Sequence, residues 1–527
     1  MNHLNVRPFL PLALAAFALL SACTTIPTDL GRSEVDSLLT ERGRNSVESD
    51  SGQTRQELLD ELTAEPLTAD SAVRIALLNN PGLQATYADL GFAAADVYAA
   101  GRIRNPVFSA SVLNSSVAGT VDQITLGLAL SFSDLLTLPA RKRLSQTAFA
   151  ALRLSVGAAV LQTAAATEHA WYDYAGAQQV AAMRQQIALA ANASAQMAER
   201  FYAAGNINAR DLALHRAAAS EARLEALDVE AEVMASRNAL ANMLGLSSAA
   251  EWKVQGQLPL PPPSEDELES LILLAQTSRL DLAAARVEVE LQADRLGVTE
   301  WTRWLGDLEL GIEREREADG SRSTGPGLSW EIPIFTQNRD QQLRAEASFR
   351  KALAKLQGLD VEVGNSVRLA QAELFNQRAR IAEYRDELIP QRIESSARAQ
   401  EEVNFMLMGV FELIAIKQAE YGAYQAYLQA VSDYWLARTD LRLAVGNALP
   451  GDHSGIPFIN TEDLLKTSPA TMDHSAHGDM QVPESEVSGS DHSQEHHHHE
   501  MHDESHREKP SNTPSENPSE EHHGDHP

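Results

Sequence analysis

Cysteine occurs once in 527 residues, at Cys23. That excludes intramolecular disulfides and cysteine-rich metal centres. Positive charge is scarce: 43 Lys and Arg face 73 Asp and Glu, a formal net charge of −30. A nucleic acid backbone is thereby excluded as a partner. Beyond the N-terminus no run of 18 or more apolar residues occurs, so any membrane crossing must be made by strands and not by a helix. Proline is absent between Pro139 and Pro259 and crowds the linkers and the C-terminal tail instead. No glycine-rich phosphate loop, nucleophile elbow or paired catalytic carboxylate stands in a supporting context. The sequence therefore makes no case for an enzyme and requires no cofactor.

The N-terminus carries a processing signal over residues 1–22. Arg7 supplies a weak positive region, and Phe9 to Leu20 is apolar but too short to span a bilayer. Leu20-Ser21-Ala22-Cys23 resembles a bacterial lipobox, in which Cys23 is lipidated and becomes the first residue of the mature chain. The alternative is ordinary cleavage beside an incidental cysteine. Thr24, not Asp, follows Cys23, and in such lipoproteins this favours transfer to the outer membrane. Residues 23–66 are polar and read as an extended linker.

Two stretches of alternating character come next, at about 106–114 and 121–132. In the second, Ile124, Leu126, Leu128, Leu130 and Phe132 share one face, and Gln123, Thr125, Gly127, Ala129 and Ser131 the other. Strands of about ten residues with one apolar face have the length of transmembrane β-strands. A hairpin half-buried on a soluble core is the other reading. An alanine-rich helix of about 70 residues then runs to Gly205, about 100 Å at 1.5 Å per residue. A shorter helix returns from about Ala209 to Leu244 and stops at Gly245, a C-cap.

The plan then repeats. After the linker Pro259–Pro263, helix resumes from Ser264 to Trp304, matching the helical region from Leu67 to about Gly101 that precedes the first strands, with Arg279-Leu280 standing where Asn80-Pro81 breaks that region, an offset of 199. Strands are expected at about 307–316 and 325–335, and a second long helix from Phe335 to Asn404, kinked at Pro390. Gly409 matches Gly205 at an offset of 204, and Gly446 matches Gly245 at 201. The domains are thus a first repeat, 67–258, a second, 264–450, and a tail, 451–527. In each repeat the two shorter helices, stacked end to end, equal the long one.

Two hairpins provide four strands, fewer than the eight of the smallest single-chain barrel. A lone hairpin cannot sit in lipid with unpaired edges, so a membrane barrel here must be shared between chains. The duplication, the strand end Leu328-Ser329-Trp330-Glu331-Ile332-Pro333-Ile334-Phe335, and the turns Phe201-Tyr202-x-x-Gly205 with Asp211-Leu212 and Phe405-x-x-x-Gly409 with Glu412-Leu413 resemble the TolC-like outer-membrane efflux proteins, over about residues 67–450. The resemblance implies a mainly α fold with a small β part. In it, a long α-helical barrel continues a transmembrane β-barrel shared by a homotrimer, four strands from each protomer. It implies a conduit that docks on a periplasmic adaptor and an inner-membrane pump of the RND type. It also makes Arg200, Gly205, Asp211, Gly409 and Glu412 the adaptor and aperture tip, although the glycines could simply permit the chain to reverse. Phe405-Met406 departs from the family's usual tyrosine and small residues.

If Leu308, Leu310 and Ile312 face lipid, then Glu309, Glu313 and Glu331 line a pore, either selecting cations or merely keeping it wet. The tail is the other chemical feature. Residues 471–527 hold 14 Asp and Glu against Arg507 and Lys509, and 13 of the 16 histidines lie at or beyond His453. His474, His477, His496, His497, His498, His499 and His502, mixed with carboxylates and Met472, Met480 and Met501, suit transition-metal ions. A solvating, disordered extension is the plainer reading. His492-x-x-Glu495-His496 matches a zinc-protease pattern only formally, since no helix is expected there. His169 and His215 are isolated and read as surface or interface residues. The cargo expected is a heavy-metal cation. The alternatives are export of organic compounds, or a soluble periplasmic coiled-coil scaffold that sequesters metal, which would need no alternating strands.

Overall fold

Alanine-rich sequence loses little side-chain entropy on becoming helical, and after Pro139 nothing interrupts it. In the computed structural model, which describes residues 29–44, 54–114, 116, 119–247, 249–450 and 458–459, it forms one helix of 72 residues, Phe132–Ala203. In chain order the elements are α1 (Arg32–Thr40), α2 (Arg55–Ala64), α3 (Ala69–Asn79), α4 (Pro81–Ala100), β1 (Val107–Leu113), β2 (Gln123–Ser131), α5 (Phe132–Ala203) and α6 (Ala209–Leu244). The second half supplies α7 (Leu268–Ser278), α8 (Leu280–Thr302), β3 (Leu308–Arg316), β4 (Arg322–Trp330), α9 (Arg339–Ala382), a π-helical turn (Glu383–Leu388), α10 (Ile389–Asn404) and α11 (Val410–Val445). The four strands form one antiparallel sheet in the order β1-β2-β3-β4.

The duplication is exact in length where it matters. Helices α6 and α11 are both 36 residues, and α3 and α7 both 11. The shorter helices do stack end to end beside α5. Asn79 donates through its amide to the carbonyls of Leu244 (3.0 Å) and Gly245 (2.9 Å), and Asn80 to that of Met243 (2.9 Å). These are the orphan carbonyls at the C-terminus of α6. In the second half Arg279 takes the same place, its guanidinium donating to the Ala444 carbonyl at 3.2 Å. Gly245 and Gly446 close the two helices in the left-handed region, at φ +65° and +71°, as C-cap glycines do.

The core lies where the two halves meet at mid-length. Trp171 and Trp435 are buried and donate to the carbonyls of Leu67 (2.9 Å) and Pro259 (2.7 Å). Tyr172 stacks on Trp435 with ring centroids 5.3 Å apart.

Three expectations change. The segment 23–66 is not wholly an extended linker: α1 and α2 lie within it, and Val35 and Leu39 are buried beside Val156 and Val160 of α5. Residues 1–28 and 45–53, including Cys23, lie outside the described residues, as do 451–457 and 460–527 with all the tail histidines. The second long helix is not continuous: its N-terminus is delayed to Arg339, and a π-helical turn precedes Pro390. Proline lacks an N–H and its ring clashes with the carbonyl four residues back; the wider turn makes room for it. Finally, one 18-residue window within α5 is long and apolar enough to cross a membrane by length and composition. It belongs to a helix about 108 Å long that packs along α4, α6, α8 and α11, so the window is part of a packed wall.

A methyl group at Gly245 would collide with the Asn79 carbonyl oxygen and would hold an alanine at positive φ. Gly245→Ala should therefore destabilise the chain by about 2 kcal/mol or more, seen as a lower midpoint in thermal unfolding followed by circular dichroism. Gly358, in α9, has open space around it, so Gly358→Ala should hold or raise the midpoint.

Candidate conduit and its two ends

In an antiparallel sheet directly opposed residues share a face. The observed register aligns Ser109, Gly127, Glu313 and Gly325 across the four strands. Around this row the face carries small or polar residues, Glu309, Gly311 and Glu315 among them, with Val107 and Leu113 at the two ends of β1 the apolar exceptions. The opposite face carries Phe108, Leu128, Ile312 and Pro326 in one row, with Leu310 paired to Leu130 and Leu328. The apolar side chains are exposed: Phe108 67 %, Ile312 62 % and Leu328 68 %. Glu315 accepts a hydrogen bond from the side chain of Gln123.

Glu309 and Glu313 therefore fall on the polar face as expected. Glu331 does not lie in a strand at all: β4 ends at Trp330. The apolar alternation runs on to Ile334, but the chain turns away through Pro333, and Gln337 and Asn338 follow at positive φ. Glu331 keeps one tie to the sheet, its N–H donating to the Asp307 carbonyl at 2.8 Å.

Among the described residues both outer strands have an open edge. Glu331 N–H to Asp307 O, and Glu317 N–H to Ser321 O at 2.9 Å, set the phase of the β3–β4 ladder. In that phase the Ile312–Pro326 pair is a non-hydrogen-bonded one. The nitrogen of Pro326 thus points to the open edge, the position a strand tolerates, while the N–H groups of Thr324 and Leu328 on either side point outward to be paired.

At the sheet's inner end, strand passes directly into helix. Ser131 caps α5 by accepting from the Asp134 N–H at 3.3 Å, and Ser133 donates to Asp307 at 2.8 Å. Asp134 is ion-paired with Arg104 at 3.0 Å. This ties β2, α5 and β3 at one level.

At the far end lie two helix reversals. In the first, Gly205 takes φ +76°; its N–H donates to Tyr202 O (2.9 Å) and that of Asn206 to Phe201 O (2.8 Å). In the second, the same bonds run from Met406 to Val403 O (3.0 Å) and from Leu407 to Glu402 O (2.8 Å). The offset is 201 throughout. The residue equivalent to Gly205 is Met406, at φ +60°, and not Gly409, which is the extended N-cap of α11 and matches Asn208. Asp211 and Glu412 occupy matching places in the first turns of α6 and α11. Arg200 is exposed in the last turn of α5. Phe411 joins the reversals, packing on Phe201 at 5.5 Å and on the His215 ring at 4.2 Å. The sequence held a sign of this only in the aromatic cluster near each turn. Phe405, Met406 and Leu407 are exposed by 75 %, 93 % and 77 %. His169 pairs with Asp440 at 2.8 Å.

Where α8 and α11 meet end to end between α5 and α9, a cavity of about 1680 Å³ opens, lined by Arg279, Leu280, Glu362, Asp440 and Gly446 among others. Among the described residues no group of three or more His, Cys, Asp or Glu could hold a metal ion. The tail histidines and Cys23 are outside the described residues.

Residues 72–246, covering α3 to the end of α6, match the family model of the outer membrane efflux proteins. That span is about a third of the chain, and over it the chain is similar to that family. In fold it resembles the TolC-like outer membrane efflux channels, which are passive channels and not enzymes. Solved structures share its fold. The CmeC outer membrane channel of Campylobacter jejuni aligns at TM-score 0.61 and 17 % identity, over 84 % of this chain and 96 % of that one. The outer membrane protein VceC of Vibrio cholerae aligns at 0.59 and 20 %, over 72 % and 96 %. The open state of the MtrE outer membrane channel of Neisseria gonorrhoeae aligns at 0.56 and 16 %, over 72 % and 89 %. By sequence, no curated protein matches the chain significantly.

Left-handed backbone costs an L-residue about 1–2 kcal/mol, so the chain holds strain at Met406 that its first reversal avoids with Gly205. Met406→Gly should slow amide hydrogen exchange across residues 405–408 by stabilising the turn about 1 kcal/mol. Met406→Val, β-branched, should speed it.

Proposed function

We propose that three copies of the chain close their four-stranded sheets into a twelve-stranded barrel in the outer membrane. The helices of the three copies continue it as a periplasmic tube, in two repeats per chain, 67–258 and 264–450. The observation that carries this is a sheet with one apolar exposed face, one small and polar face, and two open edges. Only closure pairs those edges, and one chain has too few strands to close alone. Cys23, lipidated, anchors each copy to the membrane. The reversals at Gly205 and Met406, with Arg200, Asp211, Gly409 and Glu412, dock on a periplasmic adaptor that couples the tube to an inner-membrane pump of the RND type. The pump supplies the energy, and the channel conducts.

The cargo we assign is a heavy-metal cation, and the support is the tail. Thirteen histidines at or beyond His453, interleaved with Asp, Glu and Met, form a dense set of imidazole, carboxylate and thioether donors. His474, His477, His496 to His499 and His502 are its centre. No cofactor is required for conduction. Organic compounds are the second reading, because the described residues carry no metal cluster.

Isothermal titration of copper or zinc into the full chain and into a chain ending before Thr471 tests the cargo. Several ions should bind the full chain and few the shortened one; equal uptake would reject a metal role for the tail. In planar bilayers, Glu309→Gln with Glu313→Gln should move the reversal potential in a KCl gradient toward zero, as cation preference weakens. Glu331→Gln, beyond the strand, should move it little. Reversing the charge at Asp211 and Glu412 should abolish adaptor crosslinking at the reversals, and intact crosslinking would refute the docking assignment.

A further inference from the structure

Beside the Gly320 turn, charge is sorted by face. Residues 313–316 read Glu-Arg-Glu-Arg, so β3 sends Glu313 and Glu315 to the polar face and Arg314 and Arg316 to the apolar one. Arg322 directly opposes Arg316, and Ile124 of β2 opposes Arg316 on its other side; Arg314 lies between Leu126 and Thr324. Three arginines thus cap the apolar face at one end of the sheet. Like charges directly opposed across a ladder are destabilising. Among the described residues none of the three forms an ion pair or a side-chain hydrogen bond, whereas Glu315 on the other face is bonded to Gln123. Arg314 and Arg322 are exposed.

Position decides what balances them. All the helices join the sheet at its other end, through Ser131, Asp307 and Trp330, so the arginine end is the outer one. Nine-residue strands span about 30 Å, or about 23 Å at the tilt usual in such barrels, close to the apolar band of about 25 Å. No spare length lifts the arginines clear of the lipid headgroups. Long arginine stems reach along apolar surface to place their guanidinium groups at that level. Guanidinium binds phosphate by paired N–H donors.

We infer that Arg314, Arg316 and Arg322 form a binding surface for the phosphate groups of the outer-leaflet glycolipid, which clamp each protomer's β3–β4 hairpin at the membrane's outer face. The inference rests on the barrel reading given above. Its test uses the full chain in phosphatidylcholine vesicles containing bisphosphorylated lipid A, or the same lipid A with its phosphates removed. After gentle detergent extraction, lipid A retained per chain is counted by mass spectrometry. Wild type should retain about tenfold more of the phosphorylated lipid than R314Q/R316Q/R322Q. Both should retain little of the dephosphorylated form, and millimolar inorganic phosphate should not displace the lipid. Equal retention by the triple variant would overturn the inference, as it would mean the arginines stand in water above the membrane. Displacement by inorganic phosphate would overturn it too, marking a site for free anions. Conductance separates the two levels: if both proteins conduct and retain lipid equally, only this inference falls; if neither conducts, the channel reading falls with it.

Discussion

A backbone N–H in hydrocarbon has no water to bond, and this is the constraint on which the rest of the molecule turns. The sheet exposes an apolar face and leaves two edges open, and each unpaired group on those edges would cost several kcal/mol in lipid. Pro326 is consistent with that demand. Its missing donor lies on the outward edge and leaves the β3 ladder whole. The small residues on the polar face have the same origin. Ser109, Gly127 and Gly325 flank Glu313 in one row, so a concave surface can form there without crowding, while bulk is kept for the convex side.

The helices answer a different demand, that of length without a globular core. A wall about 108 Å long has few places to bury large side chains, so it concentrates them at mid-length. There the buried carboxylates are each held by two arginines: Glu168 by Arg44 (2.6 Å) and Arg442 (2.8 Å), Glu265 by Arg378 (2.8 Å) and Arg438 (2.7 Å). Tyr434 donates to Glu265 at 2.5 Å, and burial first, then that bond, pushes its hydroxyl well above the usual tyrosine range. Buried ion clusters add little net stability against apolar packing, but losing one partner is costly. They fix which segments meet: Arg44 comes from the N-terminal arm, Glu265 from the linker region after Pro263, and Arg438 and Arg442 from α11. Loops and repeats are thereby tied at a single level.

Much of this was legible because two periods are robust in sequence. Alternation over Gln123–Ser131 and Leu308–Ile312, and uninterrupted alanine-rich helix after Pro139, need no tertiary knowledge. The repeat spacing was legible too, yet its phase at the second reversal was not. Glycine is the residue that marks left-handed backbone in a sequence, yet there the chain puts Met406 in that conformation and places Gly409 at an N-cap. Met406 is exposed, so the backbone bonds that close the reversal, not propensity, hold it there. The strand end at Trp330 was missed because apolar alternation through Ile332 and Ile334 persists where the backbone has already turned. Helices α1 and α2 were missed because nine- and ten-residue helices are marginal alone; α1 forms here against α5 through Val35 and Leu39, and α2 beside α3 through Leu59.

The same constraint explains why chemistry is confined to the ends. A conduit wall is built from small residues and buried packing pairs, and neither can discriminate between cargoes. On the function proposed, discrimination falls where the wall stops: at reversals that expose Phe405, Met406 and Leu407, at a strand rim with carboxylates on one face and arginines on the other, and in a histidine-rich tail. The exposed tips of the reversals and the strand rim are free of the packing that the wall requires. A substitution there can alter what the protein meets without altering what holds it together. In the wall the reverse is true: at Gly245 or Glu265 the neighbours are fixed on every side, and change is felt as stability.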